Sequence, residues 1–278
     1  MNILKSIWLG IVEGITEWLP ISSTAHIKIF NKLFPLDVSP EFFNVFDVVI
    51  QLGAIAALLI VFWNKIWPFG KSNKPLGNGI LSYVKKDKFV LWLKIALACV
   101  PVIIYELLLD DVVNFITEAN EMTFISIALI AVGIIFIVVE IKIKDDEPTI
   151  TTTKEITFLN ALIIGLTQLI AAIFPGVSRS GATIIASLLM GISRTTATEF
   201  TFELSIPVML GASFMKILKY GFAFSFSEIL MMLFGIVSAF FISLFAINFM
   251  MSYIKKNNYV LFGLYRIILG IILLIYLR

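Results

Sequence analysis

Long apolar runs constrain the fold of this chain more than any other feature. They recur from one end of the sequence to the other, and each is long enough to cross the hydrocarbon core of a bilayer as a helix. Of the 278 residues, 59% are hydrophobic and 14% are charged, whereas a soluble protein carries about 25% charged residues. The sequence therefore predicts an all-α polytopic membrane protein that forms one integral membrane domain over residues 1–278.

Charge and cysteine content exclude several other classes of protein. The formal net charge is +2, and no basic block interleaved with aromatic residues indicates nucleic acid binding. The one cysteine, Cys99, lies in an apolar run, so neither a disulfide framework nor a zinc site is expected. A cleavable signal peptide is not expected either, because glutamates interrupt the first apolar stretch and polar residues follow it. The expected partner is the membrane, with no nucleic acid.

Polar residues break the N-terminal apolar segment. The apolar run ends at Pro20, the hydroxyl residues 22–24 follow, and a second short apolar piece reaches about Phe34. Two half-length helices around a polar break are typical of a re-entrant hairpin, which returns to the side it entered from. Removing an ionised carboxylate from water costs roughly 3 kcal/mol or more. Glu13 and Glu17 therefore mark this hairpin as a candidate functional site.

The second half of the chain repeats the first. GIVEGITEWLP at 10–20 aligns without gaps on GLTQLIAAIFP at 165–175, and 41–53 matches 199–211 in length and at both ends. Each half, about 1–143 and about 156–278, is expected to contain one hairpin and three spans. The odd number of crossings makes this an inverted-topology repeat. The predicted architecture is six full transmembrane helices plus two re-entrant helical hairpins, with spans near 42–63, 89–109, 122–143, 200–218, 228–251 and 259–277.

Lysines collect on one side of this topology. They fall in the loop 64–88, in the stretch 142–155 and at Lys255 and Lys256. The positive-inside rule assigns that side to the cytoplasm. Both termini and the acidic loop 110–121 are then expected to face outward.

The first break carries residue types that suit acid–base chemistry. Glu13 and Glu17 lie four residues apart on one helix face, where two carboxylates repel. They would share a proton, bind a metal ion or face an arginine; a solvated pair among lipid headgroups is the alternative. His26 follows Ser23 by three residues, so its ring can serve as base or acid for a serine nucleophile. The structural alternatives are a hydrogen-bonded core histidine and hydroxyls that cap the next half-helix.

The second break, PGVSRSGAT at 175–183, favours an anion. Glycines let backbone N–H groups approach a ligand, and the N-terminus of the following half-helix attracts negative charge. The guanidinium of Arg179 adds a planar fork suited to phosphate oxygens. The alternative is an arginine that only neutralises a buried glutamate, and the two roles are compatible. Facing the first break across an inverted repeat, this segment predicts a phosphate site.

EGITEWLPISSTAH at 13–26 together with PGVSRSGAT at 175–183 resembles the undecaprenyl-diphosphate phosphatase family, the membrane enzymes linked to bacitracin resistance. The resemblance covers nearly the whole chain, including FDVVIQLG at 46–53 and TATEF at 196–200. One departure is Ala25, where glycine is expected; the extra methyl group tightens the turn without touching the reacting groups.

The resemblance implies roles for individual residues. The expected catalytic residues are Glu17, Ser23, His26 and Arg179. The expected substrate-binding residues are Glu13, Ser22, Thr24, Gln51, Ser178, Ser180 and Thr183. Glu13 and Glu17 are also the expected ligands of a divalent cation, Mg²⁺ or Ca²⁺.

The reaction implied by the resemblance is hydrolysis of a polyprenyl diphosphate to the monophosphate and inorganic phosphate, which recycles a cell-wall lipid carrier in the bacterial plasma membrane. The sequence leaves open whether Ser23 or a water attacks phosphorus, which metal binds, and whether the protein is a homodimer. A transporter or flippase of an anionic lipid is the alternative function, because broken helices at the midplane are also typical of secondary transporters. A purely structural scaffold does not explain charges in both breaks.

Overall fold

The structure is a computed structural model that describes residues 1–71, 75–108 and 121–276. Within these ranges the helices are joined by loops, which contain isolated β-bridges and a short 3₁₀ helix at Gly79–Tyr83. Most of the predicted acidic loop, residues 110–120, lies outside the described residues. The helices are α1 (Asn2–Thr16), α2 (Ser23–Leu33), α3 (Pro40–Val49), α4 (Gln51–Ile66), α5 (Lys86–Leu108), α6 (Glu121–Lys142), α7 (Phe158–Ile173), α8 (Arg179–Leu189), α9 (Arg194–Tyr220), α10 (Phe226–Ile254) and α11 (Val260–Tyr276).

Two pairs of short helices form the predicted hairpins. α1 and α2 have 15 and 11 residues and pack on each other, as do α7 and α8 with 16 and 11. At about 1.5 Å per residue these helices are roughly 16 to 24 Å long, which is less than the hydrocarbon core of about 30 Å. The helix pairs and their breaks confirm the expectation from the sequence.

The remaining helices include the long apolar spans. In the described part of the chain, five segments are long and apolar enough to cross a membrane: 40–66, 86–108, 121–142, 194–220 and 226–254. The first of these is interrupted at Ile50, which separates α3 from α4 directly before Gln51. The predicted sixth span corresponds to α11, an apolar helix of 17 residues. The chain is a multi-pass membrane protein, as predicted.

α6 and α11 cross at two glycines that make the same contact in both directions. A Cβ atom on Gly133 would lie 2.6 Å from the carbonyl oxygen of Gly263, and one on Gly263 would lie 2.7 Å from that of Gly133. The next contacts repeat with the same shift along the chain, as expected at a local two-fold axis. The equivalent pairs are Gly133 and Gly263, Phe136 and Arg266, and Ile137 and Ile267.

Each hairpin is covered by a helix from the other half of the chain. α10 packs on α1, where a Cβ on Gly10 would lie 2.3 Å from the carbonyl oxygen of Gly235. α5 packs on α7, where a Cβ on Gly165 would lie 2.3 Å from that of Ala98. Gly10 and Gly165 are the aligned glycines of the repeat, so the same close approach occurs twice.

Candidate active site

The two breaks have the same unusual backbone. Ser22 has φ 74° and Ser178 has φ 72°, and no other non-glycine residue in the described ranges has a positive φ. Each serine caps the helix that follows: Ser22 Oγ accepts from the Ala25 N–H at 3.4 Å and Ser178 Oγ from the Gly181 N–H at 3.2 Å. A left-handed non-glycine residue costs about 1–3 kcal/mol and is typical of functional sites. Capping, the alternative for the hydroxyls of the first break, is therefore observed for Ser22, and Ser178 makes the equivalent hydrogen bond in the second break.

A carboxylate from the first break lies between two partners. Glu17 Oε1 is 2.5 Å from Nη2 of Arg179, and Glu17 Oε2 accepts a hydrogen bond of 2.6 Å from Ser23 Oγ. Glu17 is 9% exposed and Ser23 is 8% exposed, so the contact is shielded. Three of the four predicted catalytic residues are brought together, and the two breaks meet as the sequence predicted.

His26 does not reach Ser23 in this arrangement. Its Nδ1 lies 2.7 Å from the carbonyl oxygen of Ser22, and its Nε2 lies 2.7 Å from the hydroxyl oxygen of Tyr265. A carbonyl only accepts, so Nδ1 carries a proton and Nε2 of the neutral ring accepts from the tyrosine. The sequence left two roles for His26, a base or acid for Ser23 and a hydrogen-bonded core histidine. In the structure the carbonyl of Ser22 and the hydroxyl of Tyr265 hold the ring, and Ser23 donates to Glu17.

Glu13 is the buried carboxylate without a partner. It is fully buried, and neither of its side-chain oxygens is hydrogen-bonded within the described residues. No group of three or more His, Cys, Asp or Glu in that part of the chain could hold a metal ion. Mg²⁺ often binds one or two carboxylates and completes its shell with phosphate oxygens and water. The unpartnered oxygens of Glu13 suit such a cation. Of the two glutamates, Glu17 lines a cavity beside Arg179, and Glu13 lines neither of the two cavities there.

Two adjoining cavities flank Arg179. The smaller, about 170 Å³, contains Glu17, Ser23 and Gln51. The larger, about 330 Å³, extends past Gln168 to an ion pair between Lys28 and Glu121. The residues that line both are Ser22, Thr24, Ser178, Arg179 and Val208.

Of the remaining predicted substrate-binding side chains, some line the smaller cavity and one bonds within the helices instead. Thr24, Gln51 and Ser180 line the smaller cavity. Thr183 lines neither cavity, because its hydroxyl lies 3.0 Å from the carbonyl oxygen of Arg179 and 2.9 Å from Oγ1 of Thr201. It supports α8 and does not face the site.

Sequence reasoning missed two neighbouring residues on α11. Tyr265 holds the His26 ring, as described above. Arg266 is fully buried and donates to the carbonyl oxygens of Pro20 at 3.1 Å, Gly176 at 2.8 Å and Val177 at 2.9 Å. An arginine inside an apolar helix is itself a signal of function, and this one could have been found. Nothing in the sequence singles out the tyrosine.

A model of the family described as "Bacitracin resistance protein BacA" matches residues 6–272. The chain belongs to this family. The match covers both hairpins and all the site residues described above, and it confirms the resemblance drawn from the two motifs.

Several bacterial proteins are similar to this chain over nearly its full length. "Undecaprenyl-diphosphatase 1" of Clostridium acetobutylicum is 49% identical, covering 99% of this chain and 97% of that protein. "Undecaprenyl-diphosphatase" of Enterococcus faecalis is also 49% identical, with 99% and 97% covered. The protein of the same name from Desulfitobacterium hafniense is 49% identical, with 99% and 96% covered.

Proposed function

We propose that this protein hydrolyses undecaprenyl diphosphate, or a similar polyprenyl diphosphate, to the monophosphate and inorganic phosphate. The observation that carries the proposal is the Glu17 carboxylate, which contacts the Ser23 hydroxyl of its own hairpin and the Arg179 guanidinium of the other. The proposed nucleophile and the proposed phosphate-binding cation thus each lie within hydrogen-bond reach of the same carboxylate, the proposed base. The names of the relatives, which match over nearly their whole length, support the same activity.

Binding of the diphosphate is assigned to the two cavities. Arg179 lies between them, and the hydroxyls of Thr24 and Ser180 and the amide of Gln51 line the smaller one. α2 begins at Ser23 and α8 begins at Arg179, so both helix N-termini are at the site, where their free N–H groups favour an anion. When a phosphate oxygen replaces the carboxylate at Arg179, Glu17 is released to act on Ser23.

The hydrolysis follows from this geometry. Ser23 Oγ attacks the terminal phosphorus as Glu17 takes its proton, and the bond from that phosphorus to the bridging oxygen breaks. The polyprenyl monophosphate leaves, and water then cleaves the phosphoserine to release inorganic phosphate. If water attacks directly, Ser23 and Glu17 position it instead.

A divalent cation is part of the proposal. Glu13 and Glu17 would hold it, because the two oxygens of Glu13 are buried and have no hydrogen-bond partner in the described part of the chain. When bound, the cation supplies positive charge that stabilises the charge on the phosphoryl oxygens in the transition state. Mg²⁺ suits this arrangement better than Ca²⁺, which takes six to eight oxygen ligands.

We assign the site to the outer side of the bacterial plasma membrane, with both termini on that side. The larger cavity reaches Glu121 at the start of α6, whereas Lys142 lies at the other end of this helix. The lysine-rich segments share the Lys142 side, which the positive-inside rule assigns to the cytoplasm. An outward site would act on the lipid diphosphate left by cell-wall synthesis and confer resistance to bacitracin. One chain carries every proposed site residue, so a homodimer is not required.

The test is phosphate release by purified protein in detergent micelles, where no gradient exists. Undecaprenyl diphosphate should yield inorganic phosphate with Mg²⁺ present, and Arg179→Ala should not. Quenching in acid followed by phosphoserine detection on Ser23 distinguishes attack by serine from attack by water. Absence of phosphate release, together with movement of the lipid across vesicles, would favour the transporter alternative.

A further inference from the structure

Arg266 is a fully buried cation that bonds to backbone alone. Its three hydrogen bonds go to the carbonyl oxygens of Pro20, Gly176 and Val177. No carboxylate pairs with it within the described residues, and its Nε has no partner there. Removing a guanidinium from water costs several kcal/mol. Because burial of this guanidinium is so unfavourable, a packing role alone does not account for an arginine at position 266.

The three carbonyls belong to the two breaks that form the site. Pro20 lies midway between Glu17 and Ser23, and Gly176 and Val177 immediately precede the cap of α8. Carbonyls in an irregular segment at membrane depth lack the donors that a helix supplies. One planar guanidinium satisfies carbonyls on both sides at once, so it fixes the distance between the two breaks.

The two-fold axis provides an internal comparison. The residue equivalent to Arg266 is Phe136, which has the same relation to the Gly133–Gly263 crossing and is also fully buried. An apolar side chain therefore satisfies helix packing at this position. The charge of Arg266 serves the breaks and not the crossing of α6 and α11.

We propose that Arg266 is a positioning residue: it sets the separation of the two breaks so that Glu17 and Ser23 meet Arg179. It lines neither of the two cavities to which diphosphate binding is assigned. The proposal rests on the proposed phosphatase function. A merely stabilising role would lower the amount of folded protein, whereas a positioning role lowers the turnover of the protein that is folded.

The experiment compares Arg266→Met with Phe136→Met, a matched pair at equivalent positions. Both variants are purified as the full chain in detergent, the folded fraction is measured by gel filtration and thermal unfolding, and kcat and KM are measured with undecaprenyl diphosphate. We expect Arg266→Met to lower kcat about 100-fold per folded molecule, the size of effect that a misplacement of about 1 Å produces. Phe136→Met should lower the unfolding temperature and leave kcat within about 2-fold, since it removes packing alone.

Coupling to Arg179 gives a second measurement. Arg179→Lys should lower kcat strongly in the wild-type background and much less in the Arg266→Met background, because the misplaced breaks no longer use the guanidinium fully. If the kcat losses of Arg179→Lys and Arg266→Met simply multiply in the double variant, the proposal is overturned. Equal kcat losses in the Arg266→Met and Phe136→Met variants would also overturn it. If Arg266→Met does not fold, Arg266→Lys takes its place. That variant keeps the charge but loses the fork, and wild-type kcat from it would also overturn the proposal.

The outcomes separate this inference from the proposed function. Wild-type protein that releases no phosphate contradicts the function itself. Active wild-type protein with a fully active Arg266→Met variant contradicts only the positioning role.

Discussion

The two breaks share a backbone and differ in chemistry. Ser22 and Ser178 have nearly the same φ and the same capping bond, and the next residue is Ser23 in one break and Arg179 in the other. Before the first break α1 carries Glu13, whereas the aligned residue on α7 is Gln168, whose Nε2 donates to the carbonyl oxygen of Ala98 at 3.0 Å. The same backbone therefore presents a carboxylate and a serine hydroxyl from one half and a guanidinium from the other. Neither break is a phosphatase site alone.

The largest expected effect comes from removing the cation of the second break. Arg179→Ala should lower kcat by about 10³-fold or more, because a preorganised charge at the transferring phosphoryl group is lost. Thr183→Ala, one helical turn further along α8 and facing neither cavity, is the control and should stay within about 10-fold. The measurement is phosphate release per folded molecule. Near-normal turnover by Arg179→Ala would show that the second break is only structural.

Making the first hairpin resemble the second is the next test. Glu13→Gln places on α1 the amide that α7 carries at the aligned position. We expect kcat to fall about 100-fold and the Mg²⁺ concentration for half-maximal activity to rise, since a carboxylate ligand is lost. A Mg²⁺ titration of wild type and variant measures both. An unchanged Mg²⁺ midpoint would contradict the assignment of Glu13 as a ligand.

The histidine of the first break gives a smaller expected effect. The residue equivalent to His26 in the second break is Ala182, by their positions after the caps. If His26 holds the break, Tyr265→Phe should lower kcat only about 5-fold, since it removes one hydrogen bond of about 1 kcal/mol. His26→Ala should lower kcat further. Single-turnover kinetics across pH checks the alternative. If kcat of a normally folded His26→Ala variant no longer varied with pH, His26 would be a proton-transfer residue and not a structural one.

The smallest expected effect concerns the caps that the breaks share. Ser22→Ala and Ser178→Ala should each lower the free energy of unfolding by about 1 kcal/mol, the value of an N-cap. Similar shifts in the unfolding temperature of the two variants would support the equivalence of the breaks. A large shift in one and none in the other would show that the matching backbone has different causes on the two sides.

Local sequence patterns predicted the helices, the hairpins and the repeat, because apolar length and polar breaks report directly on insertion into a bilayer. The contact between Glu17 and Arg179 could also be predicted, since a buried carboxylate requires a cation. The partner of His26 could not: it depends on the rotation of α11, which is set by the crossing of Gly133 and Gly263. The sequence also did not predict which hydroxyls bond to the backbone and which face the cavities. Thr183 donates to nearby backbone and lines neither cavity, whereas Ser22 caps its helix and also lines both cavities. Sequence spacing does not distinguish these two cases.

Each hairpin is covered by a helix from the other half of the chain, and this arrangement affects the order in which contacts form during synthesis. α1 leaves the ribosome first, yet the helix that packs on it, α10, begins only at Phe226. Through most of synthesis the first hairpin therefore has two glutamates and no α10 beside it. The close packing of Gly10 against Gly235 can therefore form only late in synthesis, once α10 has been made. A protein truncated before Phe226 lacks α10, and we expect membrane proteases to degrade it.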